Sequence, residues 1–193
     1  MGPLYQNHFD PTSADPPRLL DVPTRERGNE GARYPTSADP PRLLVDAMLG
    51  SLARWLRLLG VDAALASDAA SDAEIVRQAR AEERVIVTRD TQLARRRGVA
   101  VLLLTSLDLA SQLRQVLAHW PIGLERLGTR CLACNHPLRE LPRAQALERV
   151  PPYVGQTQER FYHCPQCDRI YWAGTHWTRM CERLKELVAS ASG

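Results

Sequence analysis

Apolar residues fall into two rhythms along this chain, and the change comes near residue 42. Residues 1–41 carry few apolar positions and no sustained period. From 42 to 119, short apolar runs alternate with stretches in which apolar residues recur every three or four positions, the spacing of one helix face. Leu43 to Val45 reads as a strand. Residues 47–59 read as a helix with Met48, Leu49, Leu52, Leu56 and Leu59 on one face, closed by Gly60. Val61 to Ala66 is a weaker strand, and 72–82 a helix whose Ser71 and Glu74 have capping-box spacing. Val85 to Thr88 reads as a buried strand, Thr91 to Arg97 as a short helix ended by Gly98, Val99 to Leu104 as another buried strand, and 107–119 as a further helix. This alternation predicts an α/β unit of three layers, a parallel sheet with helices on both faces.

Beyond residue 120 the rhythm changes again. The stretch 128–176 is built around two cysteine pairs, with short strands expected at Arg160 to Tyr162 and Arg169 to Trp172. A last helix is expected over 177–189, where Trp177, Met180, Cys181, Leu184 and Leu187 form an apolar stripe. The organisation predicted is a leader over 1–41, an α/β domain over 42–120, and a small module with a C-terminal helix over 121–189.

Composition refines this picture. Eight of the 14 prolines lie within residues 1–41, a composition that cannot repay the entropy of ordering, so the leader is expected to be disordered. It contains a ten-residue segment, Pro-Thr-Ser-Ala-Asp-Pro-Pro-Arg-Leu-Leu, at 11–20 and again at 35–44; two polar copies are too few for a solenoid. No apolar run approaches membrane-spanning length, which with reduced cysteines makes a cytoplasmic protein the expectation. The net charge is +3, too small to argue for nucleic-acid binding by itself. Nearly all positive charge is arginine, Lys185 being the only lysine. Arginine forks suit phosphate, although a coding bias toward arginine explains the same composition.

The most specific chemistry lies in Cys131-Leu-Ala-Cys134 and Cys164-Pro-Gln-Cys167, separated by 29 residues. A two-residue gap lets both thiolates of a pair turn toward one cation, and two pairs complete a tetrahedral sulfur shell suited to structural zinc. Four protein ligands leave no open position, so reactive chemistry belongs elsewhere.

The acids of the α/β region are the candidates. Asp46 follows the first strand and Asp90 follows the strand Val85 to Thr88, so both belong at the carboxyl edge of a parallel sheet, where ligands bind. Asp72 stands on the inward stripe of its helix with Ile75, Val76 and Ala79. Three converging carboxylates can hold magnesium or manganese, and a water so activated can attack a phosphodiester in line. Each aspartate also has a bland explanation: Asp46 and Asp90 precede helices as N-caps do, and Asp72 is a first-turn acid favoured by the helix dipole. Asp108 reads as another first-turn residue. Arg89 and Arg95 to Arg97 either track an RNA backbone or neutralise a helix C-terminus. Tyr171, Trp172 and Trp177 either stack on bases or pack the cysteine module against the last helix.

These residues resemble a known family. The run Leu-Val-Asp46-Ala-Met-Leu-Gly-Ser-Leu-Ala-Arg-Trp-Leu-Arg-Leu-Leu-Gly60 is similar to the opening of the Mut-seven C-terminal ribonuclease domain family. So are Asp72-Ala-Glu-Ile-Val-Arg-Gln-Ala79, Val-Ile-Val-Thr88-Arg-Asp90, the two cysteine pairs with Asn135, and Tyr171-Trp-Ala-Gly-Thr-His176-Trp177. The resemblance covers about 42–185 and several motifs in order. It implies a PIN-like nuclease fold followed by a zinc ribbon. It further implies a metal-dependent endoribonuclease acting on single-stranded RNA, with Asp46, Asp72 and Asp90 as catalytic magnesium or manganese ligands. Cys131, Cys134, Cys164 and Cys167 would hold zinc. The usual PIN site adds a glutamate on an intervening helix, and no acid between Asp46 and Asp72 stands in such a place. That departure keeps open a second expectation, a non-catalytic RNA- or protein-binding module.

Overall fold

The computed structural model describes residues 40–120, 122–124 and 126–189; the leader up to residue 39, with the first copy of its repeat, lies outside the described residues. Apolar runs three or four residues long form four parallel strands: β1 (Leu43–Val45), β2 (Ala63–Leu65), β3 (Val85–Thr88) and β4 (Val101–Leu103), ordered β2-β1-β3-β4. Helices α1 (Gly50–Leu58), α2 (Asp72–Ala81), α3 (Thr91–Ala94) and α4 (Leu109–His119) connect or follow them.

Alternation along each strand divides the core between the sheet's two faces. Leu43, Val45, Val85 and Val87 join Leu52, Ala53 and Leu56 of α1 and Leu113 and Val116 of α4 on one side. Leu44 and Ile86 join Ile75, Val76 and Ala79 of α2 and Leu93 of α3 on the other. The three-layer α/β arrangement expected from the pattern is therefore present.

The second region holds an antiparallel sheet of β5 (Arg139–Leu141), β6 (Phe161–His163) and β7 (Ile170–Tyr171), with α5 (Arg143–Leu147) and α6 (Pro152–Thr157) between β5 and β6. Leu141, Ala146, Val150, Val154, Phe161 and Trp172 give it a cluster of its own. The last helix, α7 (Thr175–Ala189), packs on α4. The larger core crosses the junction: Cys131, Leu132, Cys164, Tyr171 and Leu184 belong to the same cluster as Leu43 and Val45.

Several expectations need correction. The helix expected over 47–59 begins as a 3-10 turn, Ala47–Leu49, and becomes α-helical only at Gly50. The tighter turn shifts the phase of its side chains, so Met48 leaves the inward face and is 62% exposed. The helix after β3 stops at Ala94, not Arg97, although Gly98 takes the left-handed conformation expected of a terminator (φ 77°). The strand expected as buried, β4, is an edge strand with Leu103 exposed. Asp108 is an N-cap rather than a first-turn residue, accepting from Ser111 N–H at 2.8 Å. Cys181 is half-buried rather than part of the core.

Candidate functional site

A sheet ordered β2-β1-β3-β4 reverses direction between β1 and β3, because β1 connects onward to β2 on one side and β3 to β4 on the other. The carboxyl ends of strands at such a switch point leave a crevice where α/β proteins bind ligands. Asp46 ends β1 there, and Thr88 and Asp90 end β3.

Asp46 is buried, its N–H donating to the Val87 carbonyl at 2.9 Å. Its side chain makes no hydrogen bond to the turn that follows, so it is not a helix cap. Instead Asp46 Oδ2 accepts a short hydrogen bond from the wholly buried Thr88 hydroxyl. The same Thr88 oxygen accepts from Asp90 N–H at 2.9 Å. One hydroxyl thus bridges the ends of β1 and β3. Asp90 does cap a helix, its Oδ1 accepting from Gln92 N–H at 2.6 Å and Leu93 N–H at 3.3 Å. No described residue bonds to its Oδ2. Thr88 stands in the Val-Ile-Val-Thr88-Arg-Asp90 motif but was not among the candidate site residues; its place two residues before Asp90 was the available signal.

Asp72 opens α2 beside a complete capping box: Ser71 Oγ accepts from Glu74 N–H at 3.4 Å, and Glu74 Oε2 accepts from Ser71 N–H at 2.8 Å. Its carboxylate accepts from Arg96 Nη2 at 3.1 Å. Arg96, drawn from the arginine triplet, therefore serves an acid, while Arg95 and Arg97 are exposed. Among the described residues, Asp46, Asp72 and Asp90 do not form a set of ligand atoms all within 4.8 Å of one another. The structure links Asp46 to Asp90 and holds Asp72 to Arg96.

The cysteines do form such a set. The ligand atoms of Cys131, Cys134, Cys164 and Cys167 all lie within 4.8 Å of one another, with Cys131 Sγ 3.5 Å from Cys167 Sγ and Cys134 Sγ 3.3 Å from Cys164 Sγ. Those separations are too long for a disulfide, about 2.05 Å, and near the roughly 3.8 Å edge of a tetrahedron with 2.3 Å metal–sulfur bonds. The four cysteines are positioned to bind a metal ion.

Both knuckles close by the same backbone device. Asn135 N–H returns to the Cys131 carbonyl at 2.9 Å and Asp168 N–H to the Cys164 carbonyl at 2.8 Å, with Asn135 and Asp168 left-handed (φ 69° and 57°). Asn and Asp tolerate that region best among non-glycine residues. Burial alone would raise the Cys131 thiol. The Tyr171 hydroxyl, donating at 2.9 Å, and the backbone N–H groups of Cys134 and Ala133 outweigh that cost and bring it down to about 7. Burial pushes Cys134 upward. Tyr171 and Trp172 are buried, so they pack the module and are not faces for bases to stack on.

The cysteine module is tied to the opposite, amino edge of the parallel sheet by Arg57, Asp62 and Asn135, of which the sequence motifs included only Asn135. Arg57 of α1, buried among apolar neighbours, donates to the carbonyls of Ala63 (2.8 Å), Leu132 (3.0 Å) and Ala133 (2.8 Å). Desolvation lowers its pKa, opposed by the thiols of Cys131 and Cys134. Asn135 accepts from Ala63 N–H at 3.0 Å and donates to Asp62 Oδ1 at 2.7 Å. Asp62 also meets Arg84 (2.6 Å), Arg42 (3.4 Å) and Arg130 (3.5 Å). Burial raises the Asp62 carboxyl, but hydrogen bonds from Arg84 and Asn135 overcome this and hold it below the usual carboxylate range. An arginine inside an apolar run, Leu56-Arg57-Leu58, was a second sequence signal of this junction beside Asn135.

A family profile described as the Mut7-C RNAse domain matches residues 41–184. The chain belongs to that family. The match spans both the parallel sheet and the cysteine module, and a Mut7-C domain is a ribonuclease domain by family. No curated protein and no solved structure matches the chain. Among the described residues of this Mut7-C protein, no helix is long and apolar enough to cross a membrane.

Proposed function

We propose that this Mut7-C domain is a PIN-like, metal-dependent endoribonuclease that hydrolyses single-stranded RNA at the carboxyl edge of its parallel sheet. The observation that carries this reading is the buried Asp46 carboxylate, joined through Thr88 to Asp90 at the switch point and not consumed in capping a helix. With the Thr88 hydroxyl as its side-chain partner among the described residues, the Asp46 carboxylate keeps acceptor capacity for a cation. The donor set is all oxygen, which suits magnesium or manganese. Asp46 and Asp90 would hold the cation with Asp72 completing the site once Arg96 releases it. When bound, a divalent cation supplies neutralisation of the phosphate and a more acidic water. The chain's own part is to fix the Asp46 carboxylate and the Asp90 backbone N–H against one hydroxyl, while Arg89, Arg95 and Arg97 draw the RNA backbone toward the crevice.

The four cysteines would hold structural zinc, closing a ribbon that braces the sheet from its other edge. The proposed organisation keeps a nuclease region over 42–120 and a ribbon with C-terminal helix over 121–189, in a cytoplasmic protein.

The competing reading, an RNA- or protein-binding module without catalysis, is favoured by the Asp72–Arg96 ion pair and the open spacing of the three acids. A cleavage assay on unstructured RNA with manganese, magnesium or neither separates the two. Metal-dependent cleavage should fall at least about a hundredfold in Asp46→Asn and in Asp90→Asn, a scale typical of a lost charge-stabilising group, with melting temperature little changed. Cleavage that persists in both variants removes the site assignment, and RNA binding without cleavage under every metal establishes the competing reading.

A further inference from the structure

The amino edge of the parallel sheet, where the strands begin, carries a second feature that the acidic crevice does not use. A pocket of about 310 Å3 opens between β2 and the first cysteine knuckle, lined among others by Arg57, Asp62, Ala64, Arg84, Arg130 and Asn135. Two of its guanidinium side chains are deeply held, Arg57 at 5% exposure and Arg84 at 8%. Their bonding accounts for only part of each fork. Arg57 spends Nε and Nη1 on neutral carbonyls, and Arg84 spends Nε on Glu82 and Nη1 on Asp62 and the Leu43 carbonyl. Among the described residues nothing accepts from Nη2 of either, and Arg130 Nη2 meets only the Asp62 carboxylate at 3.5 Å. Asp62 is the only carboxylate in the lining, and three guanidiniums, those of Arg42, Arg84 and Arg130, share it, Arg84 also meeting Glu82.

We infer that this pocket seats a backbone phosphodiester of single-stranded RNA, its oxygens taking the unused N–H groups of Arg57, Arg84 and Arg130. A guanidinium edge offers paired donors at the spacing of phosphate oxygens, and phosphate meets buried arginines with little loss of side-chain entropy because they are already fixed. The edge strand β2 leads from this pocket to the carboxyl edge beside Asp46, about 10 Å along three residues. A strand of RNA held here is thus aligned with the crevice. The inference takes its ligand from the ribonuclease reading above.

The test is an NMR titration of the full chain, without added divalent cation, with an oligouridylate of about eight nucleotides. The Nε–H signals of Arg57 and Arg84 are expected to shift in step with binding. Signals that stay fixed while RNA binds overturn the inference. So does a shift with inorganic phosphate alone and not with the oligonucleotide. In parallel, Arg130→Gln and Ala64→Glu should each weaken binding at low salt about tenfold, and Arg130→Gln should lower the salt slope by about one. Folded variants that bind as tightly as the parent overturn it as well. Because no catalytic cation is present, pocket binding in a protein that never cleaves would leave this inference standing and remove only the nuclease reading.

Discussion

An aspartate before a helix has two possible duties, and this chain assigns them differently from position to position. Asp108 is a cap and nothing more. The Ser106 hydroxyl and the Ser111 N–H bring its carboxyl down to about 2 from an ordinary 3.8. A folded pKa below the unfolded one means stabilisation present above about 4 and lost as pH falls from about 4 toward 2. Urea midpoints for the wild type and Asp108→Ala should therefore differ at neutral pH and converge through that window; a difference that persists at pH near 2 would contradict the assignment. Asp90 divides its oxygens between capping and the crevice, and Asp46 caps nothing. These duties were not legible in the sequence, because Asp46, Asp90 and Asp108 all precede a turn or helix in the same way. What separates them is whether a long-range hydroxyl, Thr88, reaches the carboxylate from another strand. The cysteine pairs were legible because their ligand geometry is local, set by a two-residue gap.

Among the elements, those with strong period and firm punctuation were read correctly. The capping box of Ser71 and Glu74 starts α2, and Gly60 ends the α1 region with φ 80°. Gly60 also lies so close to the segment before the first knuckle that a Cβ there would collide with the Arg126 carbonyl and the Thr129 hydroxyl. Gly60→Ala should cost more than the roughly 1–2 kcal/mol of a left-handed non-glycine residue, read as a fall in the denaturation midpoint. A midpoint equal to the wild type would show that the junction yields easily. The helices α5 and α6 escaped the sequence reading. Each is six residues or fewer, follows a proline (Pro142 and Pro151), and is too short to display a period. The 3-10 start at Ala47 escaped for a related reason: a tighter turn leaves the composition of an apolar stripe unchanged while rotating Met48 out of it.

For the molecule as a whole, the two sheets share one core and a set of cross-bonds. Arg57 and Asn135 bond the parallel sheet to the first knuckle, and the larger core runs from Leu43 to Leu184. Elemental analysis is expected to give one zinc per chain, and Cys164→Ser to lose it at a cost on the order of 4 kcal/mol or more, the range reserved for lost metal sites and similar damage. Unfolding of that variant should register together at Trp55, beside the larger core, and at Trp172, within the smaller. A parallel sheet that stays fully stable without metal would separate the two parts and contradict this coupling. The late arrival of one core member bears on how the protein is made. Leu184 emerges from the ribosome some 140 residues after Leu43, so the nascent sheet must wait, with an apolar side uncovered, until the final helix is synthesised. A polypeptide released early, anywhere before α7, should be sticky and short-lived in the cell, making translation through α7 the condition for a soluble product.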